Sequence, residues 1–490
     1  MEFCTRESNA GTKYFFSEER EGKMKRVWKR IMAGMCCMLL LSSVTACGSG
    51  DAPVRGDVAP EATASPTDAP EETKTPTDVP EPTKEPEATK APEITDVPES
   101  TKAPAERPEG TLKDAAAACG FSFGTVANAY SGRDLNYKMM VMDDFSSMTA
   151  ANEMKAYSML NQSVSQSNPD GMPAIDFSQA DSMVSMAELL GIGVRGHVLV
   201  WDAYMCDWFF REGYTNDGPY VDQATMKARL KYYIEKVITH FETEFPGVVY
   251  CWDVVNEAVG DSPADYDSSD GRHIRTLRGG VENQFYNIIG DDYVELSFLY
   301  AKDTVEKLQK ENPEVSILLF YNDYNTFLPE KRDSICELVK SINSYAKDED
   351  GNYRKLCEGV GMQSYIGGYG EQEGCMNPED IKKIRTAILM FHELEVEVHV
   401  TEMAIRNYDA DLIAQHAEFC GDLFEMYAEI NAEEPILTNV TIWGIQDAPN
   451  MSESDYSYKQ NSPYCGLYDE DYKKKDAYYE VLAAMLRAAE

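Results

Sequence analysis

Eight runs rich in β-branched and aromatic residues recur along the chain, at 121–125, 144–149, 194–200, 248–257, 316–325, 359–366, 395–405 and 439–445. Amphipathic stretches separate most of them, at 226–241, 293–311, 329–346, 379–394 and 412–430. Strand and helix alternating through one domain call for a parallel sheet, because parallel neighbours need a crossover between them. Eight such units call for closure of that sheet on itself. The predicted fold class is therefore α/β, a (β/α)8 TIM barrel.

The pattern ends two of these runs on glutamate. The fourth closes Val254-Val255-Asn256-Glu257, and the seventh carries Val400-Thr401-Glu402. A barrel keeps its chemistry at the C-terminal ends of its strands, so both carboxylates fall on the working rim. One glutamate after an apolar strand is commonly only a charge meeting water. Two on one rim are the minimum equipment for cleaving a glycosidic bond.

The rest of the chain bounds this reading. Lys and Arg number 45 against 84 Asp and Glu, a formal net charge of -39. That excess excludes nucleic acid and anionic membrane surfaces as expected partners. Lys25, Arg26, Lys29 and Arg30 precede an apolar stretch from Ile31 to Leu41, and Ser43-Val44-Thr45-Ala46 then leads to Cys47. A basic segment, a short apolar run and small residues read as an export signal, too short for a membrane span. Met24 fits as the true initiator. Between residues 48 and 108 the unit Thr-Asp/Lys-x-Pro returns near every sixth residue, from Thr77-Asp78-Val79-Pro80 to Thr101-Lys102-Ala103-Pro104. Such a Pro/Thr/Glu-rich segment cannot bury enough apolar surface to fold and is expected to be a disordered, extended linker. The expected organisation is an export segment at 1–47, the linker at 48–108 and a catalytic barrel at 109–490. Eight of the twelve cysteines fall in the barrel region at scattered spacings. They indicate neither a zinc site nor a disulfide lattice, although an even count leaves one or two bridges open. Six histidines include no His-x-x-x-His pair, so no metal and no cofactor are expected.

Arg195-Gly196-His197-Val198-Leu199-Val200-Trp201 with Trp208-Phe209-Phe210, Trp252-Asp253-Val254-Val255-Asn256-Glu257-Ala258, Tyr321-Asn322-Asp323-Tyr324-Asn325, Val400-Thr401-Glu402 and Trp443-Gly444 follow one another along the domain. In this order they resemble glycoside hydrolase family ten, the endo-β-1,4-xylanases. The resemblance implies the same barrel, with catalytic glutamates on strands four and seven. It implies Glu257 as acid/base, Glu402 as nucleophile, and retention of configuration by double displacement on xylan. Carried over likewise as substrate-binding residues are Asn152, Lys155, His197, Trp201, Asn256, Asn322, Gln363, Tyr365 and Trp443. Gln363 is expected close to the nucleophile, and Asp253 is expected to be a buried structural carboxylate. The small residues before Cys47 resemble a bacterial lipoprotein signal, which implies lipidation of that cysteine. The expected product is a monomer, exported and anchored at the cell surface through Cys47 or secreted, meeting the membrane only through its lipid.

Several positions depart from the family pattern around the sugar site. Ala151 stands where a Glu is usual, Ala156 where a Trp is usual, and Asp202-Ala203-Tyr204 where His-Ser-Gln is usual. Tyr365 replaces a His, Ala404 an Asp, and Met451 a Trp. These changes leave the glutamate pair intact and alter the groups around it. They leave open a retaining glycosidase on another β-linked glycan, or a surface lipoprotein that binds glycans without cleaving them.

Overall fold

The computed structural model describes residues 107–368, 370–450 and 462–489. The export segment, Cys47, nearly all of the linker and Met451 lie outside the described residues. Eight parallel strands form the barrel wall: β1 (Ser122–Ala127), β2 (Ser147–Ala150), β3 (Gly193–Gly196), β4 (Val249–Asn256), β5 (Leu318–Asp323), β6 (Gly359–Met362), β7 (Glu397–Ile405) and β8 (Leu437–Ile442). Each pairs with its neighbour in chain order, and β8 pairs with both β7 and β1, so the sheet closes. Closure removes the free edges that an open sheet would expose. The burial pattern of β4 explains its reading as a near-continuous apolar run. Only Tyr250 of its eight residues is less than fully buried, as in a parallel strand covered on both faces.

Among the described residues, nine helices of seven residues or more accompany the strands: α1 (Leu112–Ala118), α2 (Leu135–Asp144), α3 (Ser178–Leu190), α4 (Gln223–Glu244), α5 (Tyr293–Glu311), α6 (Pro329–Asn343), α7 (Pro378–His392), α8 (Ile413–Ile430) and α9 (Asp476–Ala489). Their sequences fix their ends. Asp222 accepts from the Thr225 amide at the start of α4, and Asn377 accepts from the Glu379 amide ahead of Pro378 in α7. Their apolar stripes face the barrel. In α5 the buried set includes Val294, Phe298, Ala301 and Val305, spaced three and four apart. Helices α8 and α9 pack together, burying Leu423, Phe424, Tyr427, Tyr478, Leu482 and Met485. Each such side chain stabilises the fold by about 1.5–3 kcal/mol relative to exposure.

The strand boundaries differ from the sequence reading in two places that matter for the rim. The third strand was expected to run to residue 200. It leaves the sheet after Gly196, and the chain rejoins it at a single bridge between Val200 and Val255. The sixth was expected to be continuous to residue 366. It breaks at Ser364, whose φ is 58°, and resumes as a two-residue strand, Tyr365–Ile366, paired with Ala404 and Ile405.

All eight cysteines among the described residues are free, so the bridges left open by the count are not formed there. Six are buried, and Cys206 and Cys375 are partly so. The expected buried thiol, Cys251, accepts from the Arg195 guanidinium at 3.1 Å inside the barrel.

Candidate active site

Strand order carries Asn256, Asn322, Gln363 and Glu402 to one rim, where register aligns Asn256 with Asn322 and Asn322 with Gly361. Gly361 is required there. A Cβ on it would stand 2.3 Å from the Asn322 side-chain oxygen. Without that atom, Asn322 lies fully buried between its neighbours and its amide reaches two partners. Its Nδ2 donates to Asn256 Oδ1 at 2.9 Å and to Glu402 Oε1 at 3.1 Å. Its Oδ1 accepts from the Thr401 hydroxyl at 2.7 Å, which fixes the amide's orientation.

Gln363 completes a bridge between the two carboxylates. Its Nε2 donates to Asn256 Oδ1 at 3.2 Å and to Glu257 Oε1 at 3.0 Å. Glu257 is thus joined to Glu402 through Gln363, Asn256 and Asn322. The side-chain hydrogen bonds of Gln363 run to Asn256 and Glu257, the acid/base candidate, and it joins Glu402 only through Asn256 and Asn322. Tyr365 is the residue that meets Glu402, donating its hydroxyl to Oε2 at 2.6 Å.

Both glutamates are nearly closed off, Glu257 at 5% and Glu402 at 6% exposure. Burial pushes the Glu402 carboxyl above its ordinary range, and the charge of Glu257 adds to that. His197, the Tyr365 hydroxyl and Lys155 oppose the rise by favouring the carboxylate. Glu257 leaves β4 in the left-handed region, with φ at 55°. Its amide donates to the Asn322 carbonyl at 2.9 Å. Such a conformation costs on the order of 1–3 kcal/mol in a non-glycine residue and persists only where its surroundings hold it.

Those surroundings come from the loop after β4, which the sequence reading passed over. Arg278 donates from Nη1 to Glu257 Oε2 at 2.8 Å and from Nη2 to the Glu257 carbonyl at 3.0 Å. Its Nε and Nη2 fork onto Asp202, at 3.0 and 2.8 Å. Arg275 donates to the same Glu257 carbonyl and to that of Val259, and pairs with Asp261 at 2.8 Å. One signal was available. Asp202 stands where the family usually has histidine, and a carboxylate brought into a closed site needs a cation.

The remaining candidates surround the pair. His197 donates from Nδ1 to Asp253 Oδ2 at 2.9 Å, and Arg195 pairs with the other oxygen of that fully buried carboxylate. Lys155 donates to Asn152 Oδ1 at 3.1 Å and lies over the rings of Trp201 and Tyr204, at 5.0 and 4.4 Å. Trp201 and Tyr204 are in contact, centroids 4.3 Å apart, and Tyr157 continues the aromatic wall 5.4 Å from Tyr204. Trp443 is half-buried just past β8. Asn256 has one conspicuous atom: its Nδ2 is buried without a hydrogen-bond partner among the described residues. An unpaired buried donor is costly, and one on this rim suits a sugar hydroxyl.

The family model for glycosyl hydrolase family 10 matches residues 111–484. A putative endo-1,4-beta-xylanase of Caldicellulosiruptor saccharolyticus is 31% identical over 344 residues, covering 68% of this chain and 97% of that protein. Endo-1,4-beta-xylanase A of Thermotoga maritima is 32% identical over 357 residues, covering 70% of this chain and 28% of that longer protein. Among solved structures, an N-terminal endo-1,4-beta-D-xylanase of Clostridium thermocellum complexed with xylohexaose is similar, with a TM-score of 0.64 and 26% identity. That match covers 76% of this chain and 67% of the other.

Proposed function

We propose that this chain, which belongs to glycosyl hydrolase family 10, is a retaining endo-β-1,4-xylanase that cuts internal linkages of xylan with Glu402 as nucleophile and Glu257 as acid/base. The observation that carries the reading is the polar bridge that ties the two buried carboxylates together through Gln363, Asn256 and Asn322. It gives the glutamates different neighbours on one rim, as two carboxyls with two roles require. Glu402 takes donors from Asn322 and Tyr365 and lies in the field of His197 and Lys155, which favours the ionised form that attacks the anomeric carbon.

In the first half, the Glu402 carboxylate bonds to that carbon while Glu257 gives its proton to the leaving oxygen. In the second, water attacks the anomeric carbon while Glu257 takes a proton from that water and the bond to Glu402 breaks, returning the carboxylate, and two inversions leave the configuration unchanged. Asn256 Nδ2 is the donor for the sugar 2-hydroxyl, a contact that strengthens as the oxocarbenium ion forms. Lys155 and His197 hold the sugar beside the cleavage point, and Trp201, Tyr204 and Trp443 offer it ring faces. The sequence ahead of the barrel supports surface anchoring through a lipid on Cys47.

The test is product analysis on xylan, glucan, mannan and cellulose, with the anomeric configuration followed by NMR at early times. Xylo-oligosaccharides of retained configuration from xylan alone are expected. Release from another glycan in preference to xylan, or inverted products, would overturn the reading. Glu402→Gly supplied with azide and an aryl xylobioside should form the inverted glycosyl azide.

A further inference from the structure

The contacts of Glu257 raise a problem that its role does not explain. Both carboxylate oxygens accept hydrogen bonds, Oε1 from the Gln363 amide and Oε2 from the Arg278 guanidinium. Neither partner accepts a proton at those atoms: a guanidinium has only donors, and the Gln363 nitrogen is the amide donor. Each oxygen therefore already faces a donor of the kind that the carboxylate left by proton transfer requires. Arg278 is itself held. Its Nε and Nη2 form a two-point fork on Asp202, and only Nη1 is left for the Glu257 side chain. The three groups are nearly buried, with side chains 12% exposed for Arg278 and 7% for Asp202 and Glu257. Arg278 also grips the Glu257 carbonyl, so one guanidinium fixes backbone and carboxylate of a residue in the left-handed conformation.

We propose that Arg278, anchored by Asp202, is a positioning residue for Glu257 that supports the proton-transfer step by stabilising the carboxylate that appears when the leaving oxygen takes the proton. The inference rests on the assignment of Glu257 as acid/base. In the step concerned, the Glu257 O–H bond breaks and its proton passes to the glycosidic oxygen. The C–O bond breaks with its electron pair going to that oxygen, and the Glu402 oxygen bonds to the anomeric carbon. Negative charge appears on Glu257 as the proton departs, and the Arg278 contact strengthens at that moment, so it favours the transition state over the ground state. Asp202 keeps the guanidinium aimed and offsets its charge. Without that partner, a lone buried cation would bind the carboxylate too tightly for it to be reprotonated. Asp202 and Arg278 thus act as a pair, and the departure of Asp202 from the family pattern gains a purpose.

The experiment compares kcat/KM on two glycosides, because that constant reports only the first half of the reaction. The 2,4-dinitrophenyl β-xylobioside leaves without a proton, whereas the phenyl β-xylobioside needs one. Glu257→Ala serves as the reference. Arg278→Met is expected to lose about 30- to 100-fold on the phenyl glycoside, a large part of what general acid catalysis contributes. On the dinitrophenyl glycoside it should lose only a few-fold. Asp202→Asn should change the ratio of the two constants in the same direction by less, and Arg278→Lys should restore part of it. Equal losses on both glycosides in Asp202→Asn and Arg278→Lys overturn the inference even if Arg278→Met fails to fold. Equal losses in Glu257→Ala overturn the acid/base assignment itself, so the two failures are told apart.

Discussion

The Tyr365 hydroxyl donates to Oε2 of Glu402 at 2.6 Å, from a position where the family usually has histidine. A phenol makes this bond without carrying a positive charge. The partner expected with that histidine is missing too: Ala404, paired in register with Tyr365, is fully buried and small. The larger ring reaches the nucleophile, with the Arg406 guanidinium 5.5 Å from its centre.

Tyr365→Phe should therefore weaken the nucleophile in a definite direction. Burial already raises the Glu402 carboxyl, and the Tyr365 hydroxyl is one of the groups that lower it. Removing the hydroxyl raises it further. The acid limb of the kcat/KM profile, which follows ionisation of the nucleophile, should move to higher pH. The plateau should fall about 10- to 100-fold, as expected for a hydrogen bond to a charged group. An acid limb that stays in place or moves to lower pH contradicts the role given to this bond.

Asn256→Ala should show its effect through the substrate's 2-hydroxyl. A wild-type preference for an aryl xyloside over its 2-deoxy analogue is expected to collapse in the variant, leaving the two within a few-fold. A double-mutant comparison of this kind isolates the pair, provided the orphaned amides of Asn322 and Gln363 cost both substrates equally. A preference unchanged by the substitution would remove Asn256 from the sugar.

Acid stability should depend on His416. Burial, helped by Lys475, lowers this histidine to about 3, and its Nε2 donates to the Ile405 carbonyl at 3.1 Å. The unfolded chain takes up the proton near the ordinary value, while the folded chain refuses it until far lower pH. Stability from this group is present above the unfolded value and is lost as pH falls from there toward 3, at about 1.4 kcal/mol per pH unit. His416→Gln should be less stable than wild type at pH 7, and the gap should narrow as the medium is acidified. Urea midpoints at pH 7, 6, 5 and 4 check this.

Cys47→Ser should release activity from the membrane fraction of the native host without altering kcat/KM of the soluble barrel. Full-length wild-type protein found entirely free in the medium would exclude the anchor.

The barrel was legible because its signals are local. A run such as Val248 to Glu257 names its own strand, and the order of eight such runs names the closure. Glu257 and Glu402 were legible as rim residues for the same reason. The hydrogen bond of Gln363 to Glu257 was not, because the resemblance names a residue near the nucleophile and not the atoms its amide reaches. Asn322 was expected to meet sugar; it is fully buried and links Asn256 to Glu402, a position set by register with β4 and by the missing Cβ of Gly361. Arg278 was least legible of all. It sits beside a two-residue hairpin turn in a long loop, and neither helical nor strand periodicity says where such a loop returns.

The free thiols carry a consequence for where the barrel can exist. Burial pushes Cys251 and Cys357 up to about 12 and Cys206 and Cys336 up to about 11, and it raises Cys119, Cys375, Cys420 and Cys465 as well. Thiol exchange needs thiolate, and at neutral pH these sulfurs hold almost none. The domain should reach the same fold in a reducing cytoplasm as outside the cell, and neither reductant nor mild oxidant should shift its melting temperature.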